Sequence, residues 1–413
     1  MNEREALILE RLNGIIAYAR ENSPFYAEHL ANVGELATLG DLANVPFVEV
    51  EDMRHKPARL LCTSITKVAR PFSHFTTGTL GRPKRIFFGQ RDVDDIVRRM
   101  ADIITTSLEG VDCSNPAQVK VGIYLPDNGR LSMAEMIRLA CEQLGFLVYK
   151  GSCMDEAEDQ IAEIRRERPT MIMGSAFRIW RVTQTGKEQG GLRDIGVQRI
   201  FITSEYLSTT MRARLKDIWG GDVYHHYGMT EPGFAIGIEC TCHDGFHYDD
   251  TELYFEVVDP ETGEVLPDGQ QGELVFTSLV REAMPLIRYR TGDIASVTHE
   301  PCACGRVTPR IGVMPKKLGL IYQLEDGREV YGSYYDEILY GIEDLLDYRI
   351  YLKPEGVLCK AEMIGDDPTF AARVSAALDG AQVQVVPRKT LRRGGTSLKR
   401  KIVDCRNGES EDE

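Results

Sequence analysis

The stretch "VKVGIYL" (119–125), followed by "MAEMIRLACEQLG" (133–145) and "FLVYKG" (146–151), reads as strand, helix, strand. The alternation continues through "DEAEDQIAEIRRER" (155–168), "TMIMG" (170–174), "QRIFIT" (198–203), "TMRARLKDIW" (210–219) and "DVYHHYG" (222–228). Short apolar runs alternating with helical segments of this length predict βαβ units and a largely parallel sheet, hence an α/β fold.

On either side of this stretch the texture differs. Toward the N-terminus, Leu12, Ile15, Ile16 and Ala19 fall at helical spacing before Ser23-Pro24, which predicts an amphipathic helix that breaks there. After Glu231, "TELYFEVVDPETGEVLPDGQQGELVFTSL" alternates apolar positions around Pro-Glu-Thr-Gly and Pro-Asp-Gly, the signals of antiparallel hairpins. From about 320 to 405, a helical "PTFAARVSAAL" mixes with the short strands "RIYLK" and "AQVQVVP", a small α+β unit. The closing "NGESEDE" reads as a disordered acidic tail.

The chain has 413 residues, 43% hydrophobic and 27% charged, which is an ordinary globular balance for two or three units. It contains no run of eighteen apolar residues, and its N-terminus is acidic, without the basic and greasy pattern of an export signal. The expected location is cytoplasmic. A formal net charge of −14 opposes non-specific binding to nucleic acid or anionic lipid, so neither nucleic acid nor membrane is an expected partner.

Ten cysteines in a chain of this size pose a metal question rather than a disulfide one, because four of them cluster. Cys240 and Cys242 lie in "ECTCHDGFHY", and Cys302 and Cys304 in "PCACGR", with His243 and His247 beside the first pair. Two C-x-C pairs with nearby histidines fit a four-ligand, thiolate-rich Zn²⁺ site. The absence of C-x-x-C speaks against redox catalysis.

A second unusual stretch is "FTTGTLGRPK" (75–84), with three threonines, two glycines and two cations in ten residues. Hydroxyls, close backbone N–H groups and charge suit a polyphosphate. The spacing is not that of a Walker A loop, since Gly78 and Gly81 are three apart and Lys84 follows proline. Taken alone, the same residues also suit a plain Gly-Thr turn.

Its companions supply the context. The loop resembles the Thr/Gly-rich phosphate loop of the acyl-adenylate-forming superfamily, with Thr76, Thr77, Gly78, Thr79, Gly81 and Lys84 in register and Leu80 as the departure. Tyr227-Gly228-Met229-Thr230-Glu231 is similar to that superfamily's Y-G-x-T-E motif, and Arg290-Thr291-Gly292-Asp293 to its R/K-T-G-D segment. Ser204, Glu205 and Tyr206 stand where relatives keep an adenine shelf. "ARENSPFYAEHLANVG", "DPETGEVLPDGQQGELVFTSLVREAMPLIRYRTGDI" and "CACGRVTPRI" resemble the phenylacetate–CoA ligase-like enzymes.

The resemblance implies a large N-terminal adenylation domain over 1–315 with mostly parallel sheets, and a β-rich, zinc-binding section at 235–310. It implies a small mobile C-terminal domain at 316–405, before a tail at 406–413. It further implies ATP, Mg²⁺ and coenzyme A, with Thr230 on phosphate, Glu231 on Mg²⁺ and Asp293 on the ribose hydroxyls. A structural Zn²⁺ would sit on Cys240, His247, Cys302 and Cys304, with Cys242 and His243 in reserve. A homodimer is common among such relatives.

Two segments depart from the family pattern. The hinge region "GVMPKKLGLIY" (312–322) carries Lys316 and Lys317 where relatives keep an acidic pair. In "PRKTLRRGGTSLKRKIVD" (387–404), the adenylation lysine falls on Lys399 only after a one-residue shift. The implied reaction is activation of an aromatic or arylacetic acid as acyl-AMP, then transfer to coenzyme A. Two alternatives stay open: transfer to a carrier-protein thiol, an amine or another cofactor, and a homologue that binds nucleotide without turnover. Leu80 and the two departures point to the last of these.

Overall fold

The computed structural model describes residues 2–74, 84–127, 131–152, 156–312, 316–391 and 402–407. The chain divides into two compact units, each made of three segments: Met1–Glu109, Gly129–Leu144 and His226–Gly319 in the first, and Gly110–Asn128, Gly145–His225 and Leu320–Glu413 in the second.

The first unit begins with the helix Glu3–Asn22, whose start is fixed by a reciprocal cap between Asn2 and Glu5. It ends where Ser23 caps a second helix, Pro24–His29, with proline at its first position. Leu12, Ile15, Ile16 and Ala19 are buried, as their spacing predicts. The β-rich part is antiparallel: Leu253–Val258, Gly272–Ser278, Tyr289–Ala295 and Lys316–Lys317 form one sheet in that order. The Val68–His74 strand pairs with Lys84–Gly89, His74 opposite Lys84. Phe255, Phe276 and Tyr289 interlock in this unit's core through ring contacts 5.9 and 5.5 Å apart.

The second unit holds the predicted parallel sheet. Its strands lie in the order Leu147–Lys150, Lys120–Tyr124, Met171–Ser175, Arg199–Thr203, then the strand starting at Asp222. The order reverses between Lys120–Tyr124 and Met171–Ser175, the topology of a doubly wound sheet. Helices Ala176–Glu188 and Thr209–Trp219 each start on a serine, Ser175 and Ser208, whose hydroxyl accepts a first-turn N–H.

Beyond Leu320 the chain adds a four-stranded sheet around the Leu345–Lys353 and Gly356–Met363 hairpin. The expected boundary at 315/316 falls inside the first unit, which continues to Gly319. The residues after it share a core with the parallel sheet: Trp180, Trp219, Tyr340, Tyr348 and Phe370 are buried in one cluster. Trp180 fixes the contact by donating its indole N–H to the Leu345 carbonyl at 3.0 Å.

Candidate active site

Tyr227 ends the Asp222–Tyr227 strand, and the chain then turns through Gly228 to Thr230 and Glu231, both buried. The turn requires glycine because a Cβ at position 228 would lie 1.9 Å from the Phe234 carbonyl oxygen. Lys84, buried at the start of its strand, donates from Nζ to Glu231 Oε1. Tyr289 closes a triangle, its hydroxyl donating to the same Oε1 at 3.2 Å and accepting from Lys84 Nζ at 3.4 Å. Burial pushes the Glu231 carboxyl up, but the Lys84 ammonium more than offsets this and holds it below the usual range. Tyr289, buried beside that carboxylate, has its hydroxyl pushed well above its ordinary value.

Arg281 braces this turn from behind. Its Nη1 donates to the Glu231 carbonyl and its Nη2 to the Phe87 carbonyl at 3.2 Å, while the guanidinium lies 4.2 Å from the centre of the Phe88 ring.

Asp293 is aimed by an irregularity in its strand. Pairing with Gly272–Ser278 slips between Glu273 and Val275, and Gly292 sits in the left-handed region at φ +73°. Thr291 steadies the loop, donating to the Leu274 carbonyl at 2.7 Å and accepting the Asp293 N–H at 3.0 Å. The carboxylate faces two donors: the Tyr227 hydroxyl at 2.9 Å on Oδ2 and Lys317 Nζ at 2.6 Å on Oδ1. Arg290, despite its place in the same motif, turns to Glu273 and serves the strand.

In the second unit, Ser204 adopts φ +70°, and Glu205 turns its carboxylate away to accept the Phe177 N–H at 2.8 Å. The Glu205 carbonyl is held by His225 Nε2 at 2.9 Å, and the Tyr206 hydroxyl donates to Glu337 Oε1 at 2.7 Å. Glu337 also accepts the Thr209 N–H at 3.0 Å.

The cysteine cluster lies in the first unit. One ligand-type atom from each of Cys240, His247, Cys302 and Cys304 falls within 4.8 Å of the others. Cys240 Sγ is 3.7 Å from Cys302 Sγ, and Cys304 Sγ is 3.5 Å from His247 Nε2. The other histidine nitrogen, Nδ1, is 3.1 Å from the Thr308 carbonyl, which presents Nε2 to the sulfurs. Cys242 is exposed and His243 turns to Glu239, so neither reserve joins the group. Cys240, Cys302 and Cys304 form no disulfide.

Lys84, Tyr227, Gly228, Thr230, Glu231 and Asp293 are therefore gathered in one unit, with Ser204, Glu205 and Tyr206 in the other. Thr76, Thr77, Gly78, Thr79, Leu80, Gly81 and Lys399 lie outside the described residues. Tyr289 and Arg281 are not singled out by the sequence, and Lys317 is noted there only as part of the departure at 312–322, without a role in the site. Only Tyr289 had a signal, as the residue next to the R-T-G-D segment.

The sequence profile of the AMP-binding enzymes matches residues 71–279, which takes in Lys84 and the Tyr227–Glu231 turn and stops short of Arg281, Tyr289 and Asp293. The chain is 30% identical over 372 residues to the phenylacetate–coenzyme A ligase of Pseudomonas putida, covering 86% of this chain and 80% of that one.

The chain belongs to the phenylacetate–coenzyme A ligase-like family of AMP-binding enzymes.

Membership makes it an adenylate-forming acid–thiol ligase. The ligase of Thermus thermophilus is 29% identical over 367 residues, covering 87% of this chain and 80% of that one. Among solved structures, 2-hydroxyisobutyryl-CoA ligase in the postadenylation state superposes with a TM-score of 0.82 at 22% identity, over 98% of this chain and 90% of that chain. That likeness speaks to the fold of this family member. No helix among its described residues is long and apolar enough to cross a membrane.

Proposed function

We propose that the protein activates a carboxylic acid with ATP and passes the acyl group to coenzyme A. In the first step a carboxylate oxygen attacks the α-phosphorus, the bond to the bridging oxygen breaks, and pyrophosphate leaves. In the second, the thiolate sulfur attacks the acyl carbon, the acyl–oxygen bond breaks and AMP leaves. The observation that carries this reading is the gathering of Lys84, Glu231 and Asp293 in one unit from widely separated places in the chain. An ammonium, a buried carboxylate and a second, partly exposed carboxylate are the groups that phosphate, metal and ribose require.

Glu231 is the magnesium ligand of this reading, with the Thr230 hydroxyl beside it. Magnesium takes hard oxygen donors, and the Lys84 ammonium holds the Glu231 carboxyl in the ionised form that such an ion needs. Bound there, magnesium would neutralise charge on the phosphates. Lys84 then turns from Glu231 to phosphate oxygen, Asp293 accepts from the ribose hydroxyls, and Ser204, Glu205 and Tyr206 border the adenine. Thr76, Thr77 and Thr79 complete the phosphate grip, the part of the expected 316–405 domain that lies beyond Gly319 moves between the two steps, and Lys399 serves the first. The likeness to ligases named for phenylacetate favours an aromatic or arylacetic acid.

We also assign a structural zinc to Cys240, His247, Cys302 and Cys304. A tetrahedral ion with bonds of about 2.3 Å to sulfur and about 2.0 Å to nitrogen sets sulfur–sulfur and sulfur–nitrogen edges near ~3.8 and ~3.5 Å. The separations of 3.7 and 3.5 Å fit those edges. Four protein ligands leave no open position, so the ion's role is to tie the strands together.

The test is acid-dependent ATP–pyrophosphate exchange over a panel of aromatic, arylacetic and aliphatic acids, followed by AMP release with and without coenzyme A. Exchange with at least one acid and coenzyme A-dependent AMP release are expected. If ATP binds and no acid supports exchange, the reading fails.

A further inference from the structure

Asp293 and Lys317 stand directly opposite each other where the Lys316–Lys317 strand pairs with Tyr289–Ala295. Opposed residues of an antiparallel pair project their side chains on the same face, within contact distance. Backbone register therefore brings this lysine to this carboxylate. Nζ donates to Asp293 Oδ1 at 2.6 Å and to the Thr291 carbonyl at 3.3 Å. An ammonium carries three N–H donors, and the third has no partner among the described residues.

The position of that charge matters as much as the spare donor. Its anchor is Asp293, the acceptor proposed for the ribose. Glu231, the carboxylate proposed for the metal, stands on the turn that begins at Tyr227, the other donor to Asp293, and its carboxyl feels the Lys317 charge as well as that of Lys84. In an adenine nucleotide the α-phosphate is bonded between the ribose and the phosphates that a metal bridges. A cation anchored on the ribose acceptor, beside the turn that carries the metal's carboxylate, is therefore suited to the α-phosphate, where the first step develops negative charge.

We propose that Lys317 is a nucleotide-contacting residue, its ammonium anchored on Asp293 and its remaining N–H donated to an α-phosphate oxygen. The proposal rests on the nucleotide reading above and adds a contact that reading does not contain. Asp293 keeps lone pairs for the ribose hydroxyls, because Lys317 and Tyr227 each occupy only part of one oxygen.

Equilibrium binding of adenosine, AMP and Mg·ATP to the full chain, wild type against Lys317→Met and Lys317→Arg, tests it. A lost charge-assisted bond should weaken AMP and Mg·ATP by about tenfold or more in K317M. Adenosine, which has no phosphate, should change by less than about twofold, and K317R should keep most of the AMP affinity. Equal weakening of adenosine and AMP would mean that Lys317 only aligns Asp293, and unchanged AMP binding would mean it touches nothing; either overturns the proposal. If K317M does not fold, Lys317→Gln gives the same ratio. A wild type that binds none of the three ligands sinks the nucleotide reading itself, and this proposal with it.

Discussion

Lys84 and Glu231 stand 147 residues apart in the chain and form a buried ion pair, their side chains 7% and 5% exposed. Tyr289 bonds to both, so the pair has polar company and very little exposure to bulk water. Breaking such a pair from one side leaves a charge with no compensation.

Lys84→Met should therefore destabilise the protein by about 3–5 kcal/mol, read by urea unfolding at pH 7. Glu231→Gln should cost less stability, because a neutral amide can still accept the lysine bond, yet lower acid-dependent pyrophosphate exchange by about a hundredfold or more. Similar stability losses with exchange intact in both variants would remove the pair from the proposed site.

The same pair predicts a pH dependence with a definite sign. Glu231's folded carboxyl is held below its ordinary value, so its contribution is fully present above the ordinary carboxyl range and is lost as pH falls through the folded value. Unfolding free energy should decline on acidification below about pH 4.5, and decline less steeply in E231Q. Parallel slopes in the two proteins would contradict it.

Tyr227 donates to one oxygen of the carboxylate assigned to the ribose. Tyr227→Phe removes one hydrogen bond and should raise KM for ATP about fivefold with little change in kcat, whereas Asp293→Asn, which replaces an acceptor with a donor, should raise KM far more. Steady-state kinetics at saturating acid read both.

One zinc per chain is expected by elemental analysis of protein purified without chelator. Cys302→Ser should lose the metal and lower Tm by several degrees, while Cys242→Ser, outside the cluster, should do neither. Equal metal content in the two variants would overturn the ligand set.

Glu337 reaches back to both the Tyr206 hydroxyl and the Thr209 N–H. Glu337→Ala should cost about 1–2 kcal/mol and weaken adenine nucleotides, since Tyr206 loses the partner that fixes its ring. Calorimetry and nucleotide titration of one variant measure both effects.

How far these features could be read from sequence depended on their range. The βαβ alternation and the early helix were legible because periodicity is local, as was the break at Ser23-Pro24. The four clustered metal-type ligands were legible because thiolates so spaced have few other uses. Lys317 was not, since its meaning comes from the register of a two-residue strand lying beyond a bulge at Gly292. Arg281 was equally hidden: it acts on backbone carbonyls, which carry no residue signature. Glu205 matched a motif position, yet its side chain faces the Phe177 amide, a direction no linear pattern records.

The three-segment build of the first unit has a consequence for how the protein is made. Lys84 leaves the ribosome 147 residues ahead of Glu231, and at about 5–20 residues per second that is roughly 7–30 s. During that interval the Lys84–Gly89 strand, with Ile86, Phe87 and Phe88, has neither its carboxylate nor the Arg281 brace. All five parallel strands, from Lys120–Tyr124 to Asp222–Tyr227, are synthesised in the meantime, so this half of the site is completed only after the middle of the protein has been translated.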